Sequence, residues 1–300
     1  MSKNEGQKLV IKINDEEVEE VTETKFLGVI IDNQLSWHAH ISTLITKLQC
    51  CSGQINRIRK FIPEWLFKTL YHSLFESHLV YGITAWGGVS KSKLEPLFVT
   101  QKHCVRILFG DAEAYFDKFR TAVRTREPKM FFGKIDTKSL KLGSSFFERE
   151  HTKSLFNEQN LLTLYHLHVY HTFINLFKIL KFKTPKSVYN LFTYSPRSNN
   201  GINMLLLLPK VRSELEKTTF VFQASLIWNA IIEKVMNNCK PNKDGILVPG
   251  SSECSDLTAP ISTIKNKLRD LLLKFQKIYT SKELGWQTNL EWHVENFFNY

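Results

Sequence analysis

From Trp37 onward, apolar residues recur three and four positions apart: Trp37, Ile41, Leu44, Ile45, Leu48, Cys51, Ile55 and Ile58. A helix turns about 100° per residue, so this series makes one broad stripe that has to be buried against other elements. Ser36 stands where an N-cap belongs, and Gly53 is the point at which the helix would bend. The same spacing returns at Leu66, Phe67, Leu70, Tyr71, Leu74 and Phe75, behind Pro63 in a first turn. It returns again between Lys91 and Gly110, at Leu94, Leu97, Phe98, Gln101, Val105 and Leu108. With the apolar run Leu79–Trp86 closed by Gly87-Gly88, residues 33–110 read as a compact helical unit whose first two helices form an antiparallel hairpin.

Residues 1–32 have a different pattern. Residues 9–13, 18–24 and 25–31 are β-rich, with a turn at Asn14-Asp15-Glu16-Glu17, and predict a small antiparallel sheet. Residues 111–157 lose the helical period and read as a basic, loop-rich connector. Helical spacing resumes over 159–182. Met204–Leu208 and Thr218–Phe222 then suggest a β-hairpin, followed by a helix through Leu226, Ile227, Trp228 and Ile231, all within a region 158–236. Residues 237–260, rich in Asn, Pro, Gly and Ser, read as a linker. A helix from Ser262 to Tyr279 and an aromatic tail with Trp286, Trp292, Phe297 and Phe298 complete 261–300. The expected fold class is α+β, mainly α-helical: a small N-terminal antiparallel sheet, a helical bundle and a mostly helical C-terminal region.

The net charge of +11 predicts attraction to polyanions, nucleic acid first. It is unevenly placed, since residues 1–32 are predominantly acidic and the basic side chains lie in the helical unit and the connector. The five cysteines, Cys50, Cys51, Cys104, Cys239 and Cys254, are never spaced C-x-x-C, and they predict reduced thiols in the cytosol or nucleus rather than a disulfide framework or zinc module. The N-terminus lacks the apolar stretch of a secretion signal, and the uncharged run Ser77–Ser90 is too short to cross a bilayer. The expectation is a protein that is not secreted, with no membrane partner.

Chemistry is sparse. Metal-assisted nucleotidyl transfer needs carboxylates that converge on Mg²⁺, and Asp32, at the end of "KFLGVIID", has no acidic neighbour. An Asp before Asn at a strand end suits a turn former that caps free backbone N–H groups. His166, His168 and His171 lack nearby Cys or acidic residues, and only 168 and 171 share a helix face, which predicts polar helix surface; His38 and His40 fare no better as ligands. Phosphate-loop, dinucleotide, nucleophile-elbow and H-E-x-x-H patterns are missing, and Cys104 falls on an apolar helix face, so catalytic and metal residues are both expected to be none. What remains is positive charge: Arg57, Arg59 and Lys60 at one helix end, and Lys91, Lys93, Lys102 and Arg106 along another. Charge alone leaves a phosphate-binding surface and a solvated helix face equally open.

The order of elements adds a resemblance. The run "VTETKFLGVIIDNQLSWHAHI", then "INRIRKFIPEWLFKTLYHSLFESHLVYGITAWG", then "LEPLFVTQKHCVRILFG" resembles the region after the polymerase core in reverse transcriptases of non-LTR (LINE-type, jockey-like) retrotransposons. Matching in order are Phe26-Leu27-Gly28-Val29, Leu35, Trp37, His40-Ile41, Leu70-Tyr71, Ser73-Leu74, Tyr81-Gly82, Trp86-Gly87, Gln101, Arg106 and Gly110. Residues 147–192 and "SLIWNAI" also look like the family's carboxy-terminal extension, although Trp228-Asn229 is followed by Ala230-Ile231 where the family often has Leu-Pro. The resemblance implies that residues 1–32 are a palm remnant and 33–110 the thumb, the helical domain that holds a template–primer duplex. It further implies that Gly28 allows close backbone approach and Trp37 seeds the thumb core. The family's catalytic A-D-D motif, which binds Mg²⁺, lies upstream of the K-x-L-G-V segment, so the expectation is a fragment of an RNA-directed DNA polymerase that cannot polymerise alone and holds no cofactor itself. Its expected partner is RNA or an RNA–DNA duplex, with protein partners unknown. The alternative is a non-catalytic helical protein-interaction module derived from a mobile element.

Overall fold

The computed structural model describes residues 11–17, 19–110, 151–195, 205–236 and 260–278. It is mainly helical, with antiparallel strands confined to the N-terminal region. The strands form two separate hairpins rather than one sheet. In the first, β1 (Lys12–Ile13) pairs with β2 (Glu16–Glu17) across Asn14 and Asp15, at φ 50° and 64°. In the second, β3 (Glu23–Phe26) pairs with β4 (Val29–Asp32), with Phe26 opposite Val29.

The single strand expected over 25–31 is therefore broken in its middle. Leu27 and Gly28 have φ of 47° and 84°, the double left-handed bend that suits the twist of a two-residue hairpin turn. An apolar run with a glycine inside it has the composition of one strand and the geometry of two half-strands. Gly28 serves through this positive φ rather than through close approach, since the nearest atom to a Cβ placed there is Tyr81 Cε1 at 3.6 Å.

Helix α1 (His38–Ile58) is unbroken through Gly53 and buries Ile41, Leu44, Ile45, Leu48, Cys51 and Ile55. Two 3₁₀ turns, Arg59–Phe61 and Glu64–Leu66, reverse the chain around Pro63. A second helical run then returns alongside α1: α2 (Phe67–Leu70), a π-helical stretch Tyr71–Glu76 and α3 (Ser77–Leu79). The widened middle turn stacks the buried Tyr71 on Phe75, with ring centroids 5.6 Å apart. Gly82, at φ 65°, starts α4 (Ile83–Trp86), and α5 (Lys91–Phe109) follows.

Helices α1 and α5 run parallel. Lys93 Nζ near the start of α5 donates to the Ser36 carbonyl just before α1, 3.0 Å away, and further along the Ser52 hydroxyl lies near the Cys104 thiol.

The C-terminal part packs onto the same core. Helix α6 (His151–Glu158) precedes α7 (Leu164–Phe182), and the link between them contains Asn160 at φ 50°. Two expectations change here: 151–157 is helical rather than connector, and the helix expected to begin at 159 begins at Leu164. Leu161, which lies on the helical spacing, and its neighbour Leu162 are buried from the link instead. Residues 111–150 lie outside the described residues.

The expected strand pairing of 204–208 with 218–222 does not form among the described residues. Thr218 ends α9 (Glu214–Lys217) and Phe220–Phe222 open α10 (Phe220–Met236), while Leu206 bridges Tyr194 instead. Two interactions accompany this arrangement, one local and one between residues 23 apart in the chain. Ser213 Oγ accepts from Glu216 N–H as a helix cap, and the Asn229 amide clasps both backbone groups of Leu206 at 2.8 Å. A short helix, α8 (Lys186–Tyr189), lies before the bridge, and α11 (Ile261–Ile278) is the last described element, ending one residue before the expected Tyr279. Of the expected linker over 237–260, all but Pro260 lies outside the described residues, as does the aromatic tail.

One hydrophobic core runs from Trp37 on α1 to Leu272 on α11. Phe98 on α5 meets Phe156 and Tyr165 at 6.3 and 5.3 Å, and Phe173 on α7 stacks on Trp228 of α10 at 5.1 Å. No described helix is long and apolar enough to cross a membrane.

Candidate nucleic-acid interface

At the corner between β4 and α1 the Asp32 carboxylate is taken up by backbone donors. Asp32 Oδ1 accepts from Gln34 N–H at 3.1 Å and Ser36 N–H at 2.8 Å, and Oδ2 accepts from Trp37 N–H at 2.8 Å. Burial tends to raise the carboxyl's pKa, but the donors of Ser36, Trp37 and Gln34 outweigh it, and the net value lies below the usual one. The residue that ties down the turn into α1 is thus Asp32, while the N-cap position of the helix is held by Trp37 rather than Ser36. Ser36 Oγ plays the lesser part, accepting from His38 N–H at 3.4 Å. Trp37, at φ 61°, turns the chain into α1 and buries its indole.

The predicted basic residues are divided by the fold. Because α1 and α5 are parallel, Arg57, Arg59 and Lys60 lie at the same end of the bundle as Arg106, while Lys91 and Lys93 lie at the other. At about 1.5 Å per residue, Lys91 and Arg106 are roughly 22 Å apart along α5. Lys91, Lys102 and Arg106 share one side of that helix by spacing, with Glu95 among them. Lys102 Nζ is 3.6 Å from Glu95 and 4.5 Å from the Phe98 ring centroid. Burial lowers the Lys91 pKa, Glu95 opposes that shift and the Lys102 charge adds to it, so these three groups feel one another.

Lys93 departs from the expected stripe. Its ammonium is bound to the Ser36 carbonyl, which makes it a strut between helix starts. Arg59 is also turned inward: its guanidinium lies over Phe67, 5.6 Å from the centroid, and Nη1 is buried without a hydrogen-bond partner among the described residues. Arg57, Lys60 and, unforeseen, Lys68 are exposed. Between them stand Phe61 and Trp65, 86% and 75% exposed. The string Arg59-Lys60-Phe61-Ile62-Pro63-Glu64-Trp65 carried that signal, an aromatic on each side of a proline beside cations, but both aromatics fall between the two helical stripes and helical spacing assigns them no place.

The remaining candidates are structural. His168 is buried rather than on a polar surface: α7 is covered on most sides, and the imidazole, held near pKa 4 by burial first and His171 second, stays neutral. Its ring packs where a Cβ on Gly87 would otherwise lie. His40 is buried against Trp86, with ring centroids 5.7 Å apart, and His166 Nδ1 is 2.7 Å from Thr163 Oγ1. Cys104 is fully buried, with its thiol pKa pushed well up by that burial. No group of three His, Cys, Asp or Glu suited to a metal occurs among the described residues.

Residues that sequence spacing placed apart meet in the fold. Tyr81 Oη donates to the Leu27 carbonyl at 2.6 Å and Trp86 Nε1 to the Tyr81 carbonyl at 3.0 Å. A Cβ on Gly82 would sit 3.2 Å from Val29 Cγ2. Phe26 and Leu27 themselves remain largely exposed on the hairpin. Gln101, fully buried, donates through Nε2 to Tyr71 Oη at 2.8 Å and the Leu162 carbonyl at 3.0 Å, and its Oε1 accepts from Leu164 N–H at 2.8 Å. Compared with family models, curated proteins and solved structures, the chain matches none of them.

Proposed function

We propose that this chain carries a duplex-holding helical unit of the kind found as the thumb of non-LTR retrotransposon reverse transcriptases. Residues 11–32 would supply the end of a palm, and the unit binds RNA or an RNA–DNA hybrid through its backbone. The reading needs no metal site in this chain, because gripping phosphates requires only placed cations. One observation carries it: the residues that make up the resemblance contact one another. Tyr81 holds Leu27, Gly82 abuts Val29, Trp86 covers His40 and Gln101 holds Tyr71. A set of positions scattered over the sequence thus forms one set of joints among the second hairpin and the helices, while Lys91, Lys102 and Arg106 lie half-buried along one side of α5 with Lys102 beside Glu95.

The test is equilibrium binding of a blunt RNA–DNA hybrid over a range of salt. The unaltered chain is expected to bind with affinity that falls steeply with salt, and each phosphate contact removed is expected to lower the log–log slope by about 0.9. Replacing Lys91, Lys102 and Arg106 together by Ala should weaken binding alike for unrelated sequences. Absence of salt-sensitive binding by the unaltered chain would overturn the reading. The exposed Ile13, Val21, Phe26 and Leu27 favour a second reading, a protein-docking hairpin, which co-purification of a stoichiometric partner lost on Phe26→Ser/Leu27→Ser would support.

A further inference from the structure

We propose that the tip joining α1 to α2 is a stacking platform for unpaired bases, with Phe61 and Trp65 as its two rings and Arg57, Lys60 and Lys68 as the cations that hold the flanking phosphates. It rests on the nucleic-acid reading above and names a second element of that contact, for a single strand rather than a duplex.

The tip is built to keep these rings outside. Ile62, one residue on from Phe61, packs against the core, and Phe67, two residues on from Trp65, is buried with its ring 6.3 Å from Phe109. Pro63 fixes the backbone between them, and its carbonyl accepts from Leu66 N–H at 3.0 Å. Inward and outward residues thus alternate over a short, pinned reversal, so Phe61 and Trp65 cannot turn in without expelling Ile62 or Phe67. The fold gains little from rings left 86% and 75% exposed.

The surroundings select the occupant. Arg57, Lys60 and Lys68 are exposed on the same reversal, opposed there by Glu64. The cores of protein–protein interfaces are depleted in lysine, which argues against a protein at this spot. Membrane-surface helices need a continuous apolar face, and those of α1 and α2 are already committed to the core. Two rigid π-faces bordered by cations match the recognition of single strands, in which stacking tolerates any base and the backbone is held by charge.

The experiment uses the full chain with three probes: a labelled 12-nucleotide oligo-dU, a blunt RNA–DNA hybrid, and phosphatidylserine vesicles. Phe61→Ala/Trp65→Ala removes both rings from exposed positions, and Phe61→Tyr/Trp65→Phe keeps them aromatic. The alanine pair is expected to weaken oligo-dU binding by about tenfold to a hundredfold, the range for loss of base stacking, and the aromatic pair to restore most of it. Hybrid binding through α5 should be unchanged in both. If the alanine pair binds oligo-dU as tightly as the unaltered chain, the platform is wrong while the duplex reading stands. If the unaltered chain binds neither nucleic acid, the duplex reading fails as well. Loss confined to vesicle binding would reassign the tip to a membrane surface and overturn the proposal.

Discussion

Asp32 holds three backbone N–H groups in the turn through which β4 gives way to α1, donors that the turn otherwise leaves unpaired. Asp32→Ala is expected to destabilise the chain by about 1–2 kcal/mol, seen as a lower urea midpoint with an unchanged slope. Its folded pKa is depressed, so its contribution is present above the unfolded carboxylate value and is lost as pH falls through the folded value, below about pH 4. Gln101 is a larger dependency. Gln101→Leu would strand the Leu162 carbonyl, Leu164 N–H and Tyr71 hydroxyl in a dry interior, where each unmade bond costs about 1–3 kcal/mol. The expected result is a loss well above that of Asp32→Ala, measured by the same unfolding experiment.

At the scale of elements, two glycines in similar helical contexts part company. A Cβ on Gly53 in α1 meets nothing within 4 Å, whereas on Gly87 it would strike the Ile83 carbonyl and the His168 ring. Gly53→Ala is expected to raise stability by about 0.5–1 kcal/mol, through helix propensity and a less flexible unfolded chain. Gly87→Ala is expected to lower it by about 1–3 kcal/mol by forcing α4 from α7. Thermal unfolding of the two variants side by side distinguishes these signs.

The neighbouring His168 makes α7 acid-sensitive. Its folded pKa of about 4 lies below the unfolded 6.5, so the unfolded state takes up the proton first and stability falls as pH drops from 6.5 towards 4. The share lost by pH 4 is about 3 kcal/mol. Neither ring nitrogen has a hydrogen-bond partner among the described residues, and His168→Leu is therefore expected to remove that share without weakening the protein at neutral pH. Urea midpoints at pH 7 and pH 4.5 check both halves.

For the whole molecule, the shared core matters more than any boundary drawn along the sequence. Gln276 on α11 accepts from Thr163 N–H at 3.2 Å and donates to the Leu161 carbonyl at 2.9 Å, while Gln101 holds the same link from the side of α5. Residues 33–110 and 158–236 are therefore expected to unfold in one transition together with α11. Coincident urea curves from tryptophan fluorescence and far-ultraviolet circular dichroism would meet that expectation, and two separated curves would refute it.

The sequence by itself determined where the long helices lie and which faces they bury. The stripes of α1 and α5 are strictly periodic, and an apolar stripe of that width admits few other solutions. It also marked Asp32 as a cap, because cap chemistry is local. Only the tertiary structure decided the rest. The Leu27-Gly28 turn, the junction of two helices at Thr218–Thr219 and the burial of His168 each depend on partners distant in the chain or on a backbone angle that composition leaves open. The basic residues show the difference most clearly: as letters they are seven equal charges. In the fold Lys93 is a strut, Arg59 covers a ring, Lys102 lies beside Glu95, and the cations left exposed at the tip stand beside two aromatics that the spacing had assigned to no surface. A charge acts from where its side chain ends, and that position is set by what the rest of the chain leaves uncovered.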